Sequence, residues 1–433
     1  MTSPMSSQTQ ATPHRFLRCG AVTLIVLMLC AAAAPVESVA EGANGAAGLS
    51  APRPIGSPAR EGSREPNLAV LPDGRVAMSW LEPSGDAGMA LRCATYDGRR
   101  WSKPATIAAG DSFFVNWADF PSILPLGGNR LAAHWLWRNG AGTYAYDVRI
   151  SQSEDGGHTW GPSVTPHRDG THAEHGFVSL VADTGRVLAI WLDGRKMADH
   201  EEGSPGPMPD MSLRAAAVLS DNRLREEVEI DDRTCDCCQT AAVTTSRGVL
   251  VAYRDRSPDE VRDIVLARLE QGRWSAPYPL HPDGWRIAGC PVNGPALAAQ
   301  GDHVAVVWFT EAADTPRVQV AFSDDGGTTF NPPMRVDDGA PLGRVHLTLL
   351  DDGAALVVWL EAQDKGALVR ARRVSVSGRA DAAFTVAPTA AARSSGFPRV
   401  TRSKDLIVFA WTESGKPSRV RTATLALRER SRP

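Results

Sequence analysis

One arrangement of apolar and polar positions recurs along the chain. An apolar segment runs into a polar turn, and a second apolar segment follows that ends in an aromatic and then a polar residue. Seven copies carry Trp80, Trp135, Trp191, Tyr253, Trp308, Trp359 and Trp411, at steps of 55, 56, 62, 55, 51 and 52 residues. Segments such as Val76-Ala77-Met78-Ser79-Trp80 are short, apolar and closed by turn residues, the signature of strands buried on both faces. A further strand pair follows each aromatic, as in residues 90–104 and 317–333. No stretch keeps a helical period over three turns. A β-helix or tandem sandwiches would not place an aromatic about every 55 residues, whereas repeated four-stranded units would. The expected fold is all-β: a single β-propeller of four-stranded blades, with seven blades counted from the aromatics. The last unit stops after its third strand, near residue 427. The segment before Arg64 is placed to supply the missing outer strand and close the ring.

Two turns are nearly identical. Ser153-Glu154-Asp155-Gly156-Gly157-His158-Thr159-Trp160 and Ser323-Asp324-Asp325-Gly326-Gly327-Thr328-Thr329-Phe330 both read S-x-D-x-G-x-T-[WF], followed by Pro162 and Pro332. Ser and Asp side chains can bond turn amides, the glycines permit positive φ, and the aromatic can pack inward. This pattern resembles the Asp-box (BNR repeat) of sialidases and related β-propellers, with Ser153, Asp155, Gly157, Trp160, Ser323, Asp325, Gly327 and Phe330 in the structural positions. The resemblance covers nearly all of the chain after residue 40 and implies a sialidase-like propeller. Sialidases have six blades, so seven aromatics depart from that family.

The beginning of the chain has a different character. Arg15 to Arg18 is basic, Ala21 to Ala34 is apolar, and Ser38-Val39-Ala40 precedes Glu41, the layout of a secretory signal peptide over residues 1–40. The apolar run is short for a spanning helix. Leu29 stands before Cys30 where a lipid-anchored chain would carry a small residue. Residues 41–63, rich in Gly, Pro, Ala and Ser, read as a flexible linker, and 64–428 as the propeller. The expectation is an exported protein, periplasmic or secreted, with no stable membrane insertion after cleavage. Net charge is −3 with signs interspersed, which argues against nucleic acid as a partner.

The repeat also assigns faces. Turns between the first and second strands of each blade, and between the third and fourth, share one side with the two Ser/Asp turns. Loops leading into each inner strand, and those after each aromatic, share the other. That second face collects Arg64, Asn116, Asp119, His172, Glu174, His175, the Cys235–Cys238 run, Cys290, Arg344 and Arg399. It also collects Glu82, Asp193, Arg254, Arg256, Glu361 and Glu413. The resemblance implies three arginines around a substrate carboxylate, a tyrosine nucleophile assisted by Glu, and an Asp acid/base. Arg64-Glu65-Pro66 resembles the family's Arg-Ile-Pro opening. By position, Arg254, Arg256 and Arg344 are further ligand-holding candidates beside His175, with Asp86 and Glu260 as catalytic candidates. The last tyrosine is Tyr278, so the family's late nucleophile is not found.

Five cysteines follow residue 40. Disulfides are the default in an oxidising compartment, and sequence does not choose the pairing among Cys235, Cys237, Cys238 and Cys290. The same four offer soft ligands for copper or zinc, although no other cofactor is expected. The reading is a propeller that binds, and as an enzyme would hydrolyse, an acidic glycan or similar anionic ligand. A non-catalytic propeller with a protein partner, or a Cys/His metal-binding protein, are the alternatives.

Overall fold

The computed structural model describes residues 49–198 and 210–427, which form a β-propeller of seven four-stranded blades. The expected signal peptide lies outside the described residues. Inner strands are Arg64–Val70, Ser122–Gly127, His175–Asp183, Ala241–Thr245, Ala296–Gln300, Pro341–Leu349 and Arg399–Ser403. Each pairs antiparallel with the next strand in sequence, and successive strands step outward. In the second blade, Val164 bridges Ile150 at the outer position. The ring closes by sequence-distant pairing: Arg53–Ile55 adds to Arg419–Ala426, with Arg53 opposite Thr424. The stretch read as linker therefore contains a blade strand, which covers an edge that would otherwise be exposed.

The core lies between blades. Seven apolar clusters occupy the seven interfaces of the ring. This explains why second strands are apolar at every position: a strand sandwiched between neighbouring blades has no solvent face. Val76–Pro83, for example, is buried throughout except at its last residue. Trp80, Trp191, Trp308, Trp359 and Tyr253 are fully buried, and truncating an aromatic in such a position costs about 3–5 kcal/mol.

The polar residue after the aromatic has a structural duty. Trp80 Nε1 donates to Glu82 at 2.7 Å, Trp191 Nε1 to Asp193 at 2.8 Å and Trp359 Nε1 to Glu361 at 2.5 Å. Trp308 finds Asp283, and the Tyr253 hydroxyl finds Asp231. An indole N–H buried without a partner costs about 1–3 kcal/mol, so the W-x-[ED] spacing satisfies the strand's own aromatic. Glu82, Asp193 and Glu361, expected on the ligand-binding face, are committed to this task.

The two similar turns share one bonding scheme. Gly157 and Gly327 N–H donate to Ser153 and Ser323 Oγ at 2.9 and 2.8 Å, while Thr159 and Thr329 donate through both amide and hydroxyl to Asp155 and Asp325. At the opposite ends of the inner strands the backbone is irregular. Glu65, Phe177, Val292 and Arg344 have φ of 49°, 54°, 47° and 55°, and register shifts accompany them at Arg64/Asn67 and Gly343/His346. Such bulges re-aim side chains at a sheet's rim. Here they occur where the loops leading into the inner strands gather.

Candidate functional site

A cleft of about 540 Å³ opens on this face between loops of the seventh, first and second blades. Its size falls within the range of about 300–1,000 Å³ typical of ligand pockets. Arg64, Glu65, Asn116, Trp117, Tyr144 and Arg393 line it. Arg64 donates Nε to Gly62 O at 3.4 Å, and neither Arg64 nor Arg393 has a carboxylate within 4 Å among the described residues. Tyr144 is 58% exposed, unusual for a large ring in this molecule. Trp117 is fixed from behind: it stacks on Phe397 at 6.0 Å, and the Arg344 guanidinium lies 4.7 Å over its ring. Arg344 in turn donates to Ala392 and Gly396 carbonyls, bracing the loop that bears Arg393. Burial pushes Arg344 down to about 10, so it stays charged near neutrality.

Glu65 adds a neutral group to the cleft wall. Its side chain is buried, Oε2 has no partner, and burial pushes its pKa up to about 8 against the opposing charge of Arg64. At neutral pH it is a carboxylic acid, leaving the Arg64 charge uncancelled.

Phe114, also in the cleft wall, stacks on Tyr146 with ring centroids 3.9 Å apart. The Tyr146 hydroxyl donates to Glu174 at 2.7 Å and approaches Asp119 at 3.3 Å. Burial pushes Asp119 up to about 8, with the Glu174 charge adding to it. Burial likewise raises Glu174 to about 7, helped by Asp236 and Cys290 and opposed by the Tyr146 hydrogen bond. Glycine at 176 is required here, because a Cβ would meet Asp119 Oδ2 at 1.9 Å. The group is a phenol between Asp119, which stays protonated at neutrality, and Glu174, which titrates near it, the range a general acid needs.

The remaining expected site residues are placed differently. Arg254 is 1% exposed and donates to the Asn293, Arg262 and Phe309 carbonyls. Arg256 and Arg262 clamp Glu260, and these hydrogen bonds hold its pKa at about 2. That keeps Glu260 an ionised ion-pair partner. Asp86 is exposed on the 3₁₀ turn Gly85–Ala87 and is not among the residues that line the cleft. His175 is buried, stacked on His167 at 3.7 Å, with Nε2 3.3 Å from Asp169 and 3.8 Å from Asp193. Burial disfavours its charged ring, but the bond to Asp169 and the charge of Asp193 outweigh this and raise its pKa. Asp169 and Asp193 also pair with Arg195, so this donor set is occupied by mutual ion pairs. Of the five expected ligand-holding residues, Arg64 reaches the cleft and Arg344 supports it. Arg254, Arg256 and His175 instead tie loops together.

Glu174 and Asp119 were expected on this face, whereas Trp117, Tyr144, Arg393 and the Tyr146 hydroxyl that joins the two acids were not. Trp117 alone carried a usable signal, an aromatic in the polar loop Asn116–Asp119. Cys93 lies on the strand Met89–Tyr96; Cys235, Cys237 and Cys238 cluster beside Arg262, Cys290 is exposed, and no pair among the described cysteines is at disulfide bonding distance.

No protein-family model matches the chain, and no curated protein is similar to it in sequence. Solved structures share its fold. A family PL25 ulvan lyase bound to -[GlcA(1-4)Rha3S]- superposes with a TM-score of 0.54 at 11% identity, covering 88% of this chain and 96% of the lyase. A second ulvan lyase structure of that family gives 0.54 at 12%, with the same coverage. Trypanosoma rangeli sialidase in complex with the inhibitor DANA gives 0.43 at 10%, covering 75% of this chain and 56% of the sialidase. At these identities the likeness is one of fold. No helix among the described residues is long and apolar enough to cross a membrane.

Proposed function

We propose that this protein binds an anionic saccharide in the cleft between Arg64, Trp117, Tyr144 and Arg393. The observation that carries this reading is the pairing of two guanidiniums lacking carboxylate partners with two aromatic rings, around about 540 Å³ of space. Guanidiniums take carboxylate or sulfate oxygens through paired N–H bonds, while apolar sugar faces stack on indole and phenol rings. Glu65, buried behind the cleft wall and neutral near pH 7, adds no negative charge that would repel the anion. The sialidase-like resemblance, including the Asp-box reading of the two turns, and the uronate-bearing ligand named for the fold-related lyase agree with this class. Export through residues 1–40 would place the protein where such polymers occur.

The test is calorimetric titration of the protein with uronic-acid and sulfated oligosaccharides beside neutral counterparts. Binding of the acidic set is expected, with R64M and R393M each weakening it about tenfold, the loss of one charged hydrogen bond at roughly 1.4 kcal/mol. Equal binding of neutral and acidic sugars sinks the proposal.

A second reading makes the protein an enzyme, with Glu174 as the acid. Its raised pKa and phenol partner favour it over Asp86 and Glu260. Polymer cleavage would then be full below pH 7 and fall as pH rises through about 7, and E174Q would abolish it with ligand affinity kept. Cleavage that persists in E174Q excludes this role.

A further inference from the structure

Cys235 to Cys238 lie between the outer strand of the third blade, Leu224–Thr234, and the inner strand of the fourth, Ala241–Thr245. The sulfurs of Cys235, Cys237 and Cys238 all fall within 4.8 Å of one another, with Cys235–Cys237 at 4.0 Å and Cys235–Cys238 at 2.6 Å. A fourth sulfur comes from the next blade. Cys290, in the loop leading to Ala296–Gln300, lies near enough to Cys237 to lower its own thiol pKa to about 7, although its sulfur is not within 4.8 Å of all three others. Cys235 and Cys238 are buried, Cys237 half-buried and Cys290 exposed. Exposure thus falls from Cys290 through Cys237 to the buried pair.

The charges around them are uneven. Arg254 is fully buried and has no carboxylate within 4 Å among the described residues; its donors meet backbone carbonyls. Arg262, also buried, points Nη1 at Cys235 Sγ at 3.5 Å while Nη2 takes Glu260. A buried cation needs a counter-charge, and the sulfurs are the groups placed to provide it. Neutral disulfides would leave that charge unanswered, whereas a metal–thiolate cluster carries net negative charge.

We propose that Cys235, Cys237 and Cys238, with Cys290 as the surface ligand, bind one thiophilic d¹⁰ cation, copper(I) or zinc(II). Metal–sulfur bonds of about 2.3 Å in a tetrahedron put sulfurs about 3.8 Å apart. The Cys235–Cys237 spacing already matches, and the Cys235–Cys238 pair opens to accept the ion. The donor set is all sulfur, which selects soft ions over magnesium or calcium. Bound metal joins the leading loops of the fourth and fifth blades on the same face as the cleft, in a role independent of saccharide recognition.

The test uses protein purified under reducing conditions, loaded separately with copper(I) and zinc(II), desalted and assayed by elemental analysis and X-ray absorption. One equivalent per chain with three or four sulfur neighbours near 2.3 Å is expected from at least one ion, and the arm that retains it identifies the ion. C235S/C238S should lose the metal and C93S should keep it. Should the double variant not fold, C290S is the surface control, expected to fold and to weaken affinity at least tenfold. Retention unchanged in these cluster variants overturns the proposal. So does protein that binds neither ion and carries Cys235–Cys238 and Cys237–Cys290 disulfides on peptide mapping.

Discussion

Replacing Glu65 with Gln should make the protein's stability less sensitive to pH, and the size of the change follows from its surroundings. Glu65 is 4% exposed, its Oε2 has no partner, and burial lifts its pKa from 4.5 to about 8. Folded protein therefore holds a proton there that the unfolded chain has released anywhere between those values. The stability contributed by the neutral acid is complete below about pH 4.5 and is lost as pH rises toward 8. Each pH unit in that window costs about 1.4 kcal/mol, and the whole interval on the order of 4–5 kcal/mol. E65Q keeps the shape and removes the ionisation. Urea unfolding of both proteins at pH 5, 6, 7 and 8 gives the comparison. The variant should gain on the wild type by about 1.4 kcal/mol per unit, most of it by pH 8. A difference that stays flat across the series would show that Glu65 is ionised in the fold. The cleft would then carry a negative charge beside Arg64, and the anionic-ligand argument would weaken with it.

Other outcomes are equally definite. Glu361 accepts from Trp359 Nε1 and the Ala340 amide, so E361A should cost about 2–4 kcal/mol and lower the melting temperature, read by circular dichroism. An unchanged midpoint would refute the indole-partner reading of the W-x-[ED] repeat. Gly294 packs where a Cβ would meet Gln239 O at 1.9 Å, so G294A should destabilise by more than 3 kcal/mol or yield insoluble protein. Full stability in G294A would mean these two loops are not in close contact. Saccharide affinity should fall severalfold between 50 and 500 mM salt, since exposed guanidiniums are screened, and salt-independent binding would point to stacking alone.

Much of this architecture was legible in the chain. The seven aromatics at a near-constant step, the doubly apolar second strands and the Ser/Asp turns are local patterns, and local backbone chemistry reads them directly. The closing strand before Arg64 also followed from a unit that ended one strand short. The candidate site was legible only in outline. Sequence put some dozen charged residues on one face, yet Glu82, Asp193 and Glu361 proved to serve buried indoles, and Arg254 to serve backbone carbonyls.

Whether an arginine is free depends on what chain-distant loops bring beside it. Arg256 meets Glu260 within its own loop, whereas Arg64 faces a cleft completed by Trp117 and Arg393 from other blades. Sequence by itself determined the repeat, its strands and the face on which polar residues gather, because alternation and turn chemistry act over a few residues. Tertiary structure alone decided which of those charges are already neutralised, since burial and ion pairing are set by neighbours that the linear order keeps far apart.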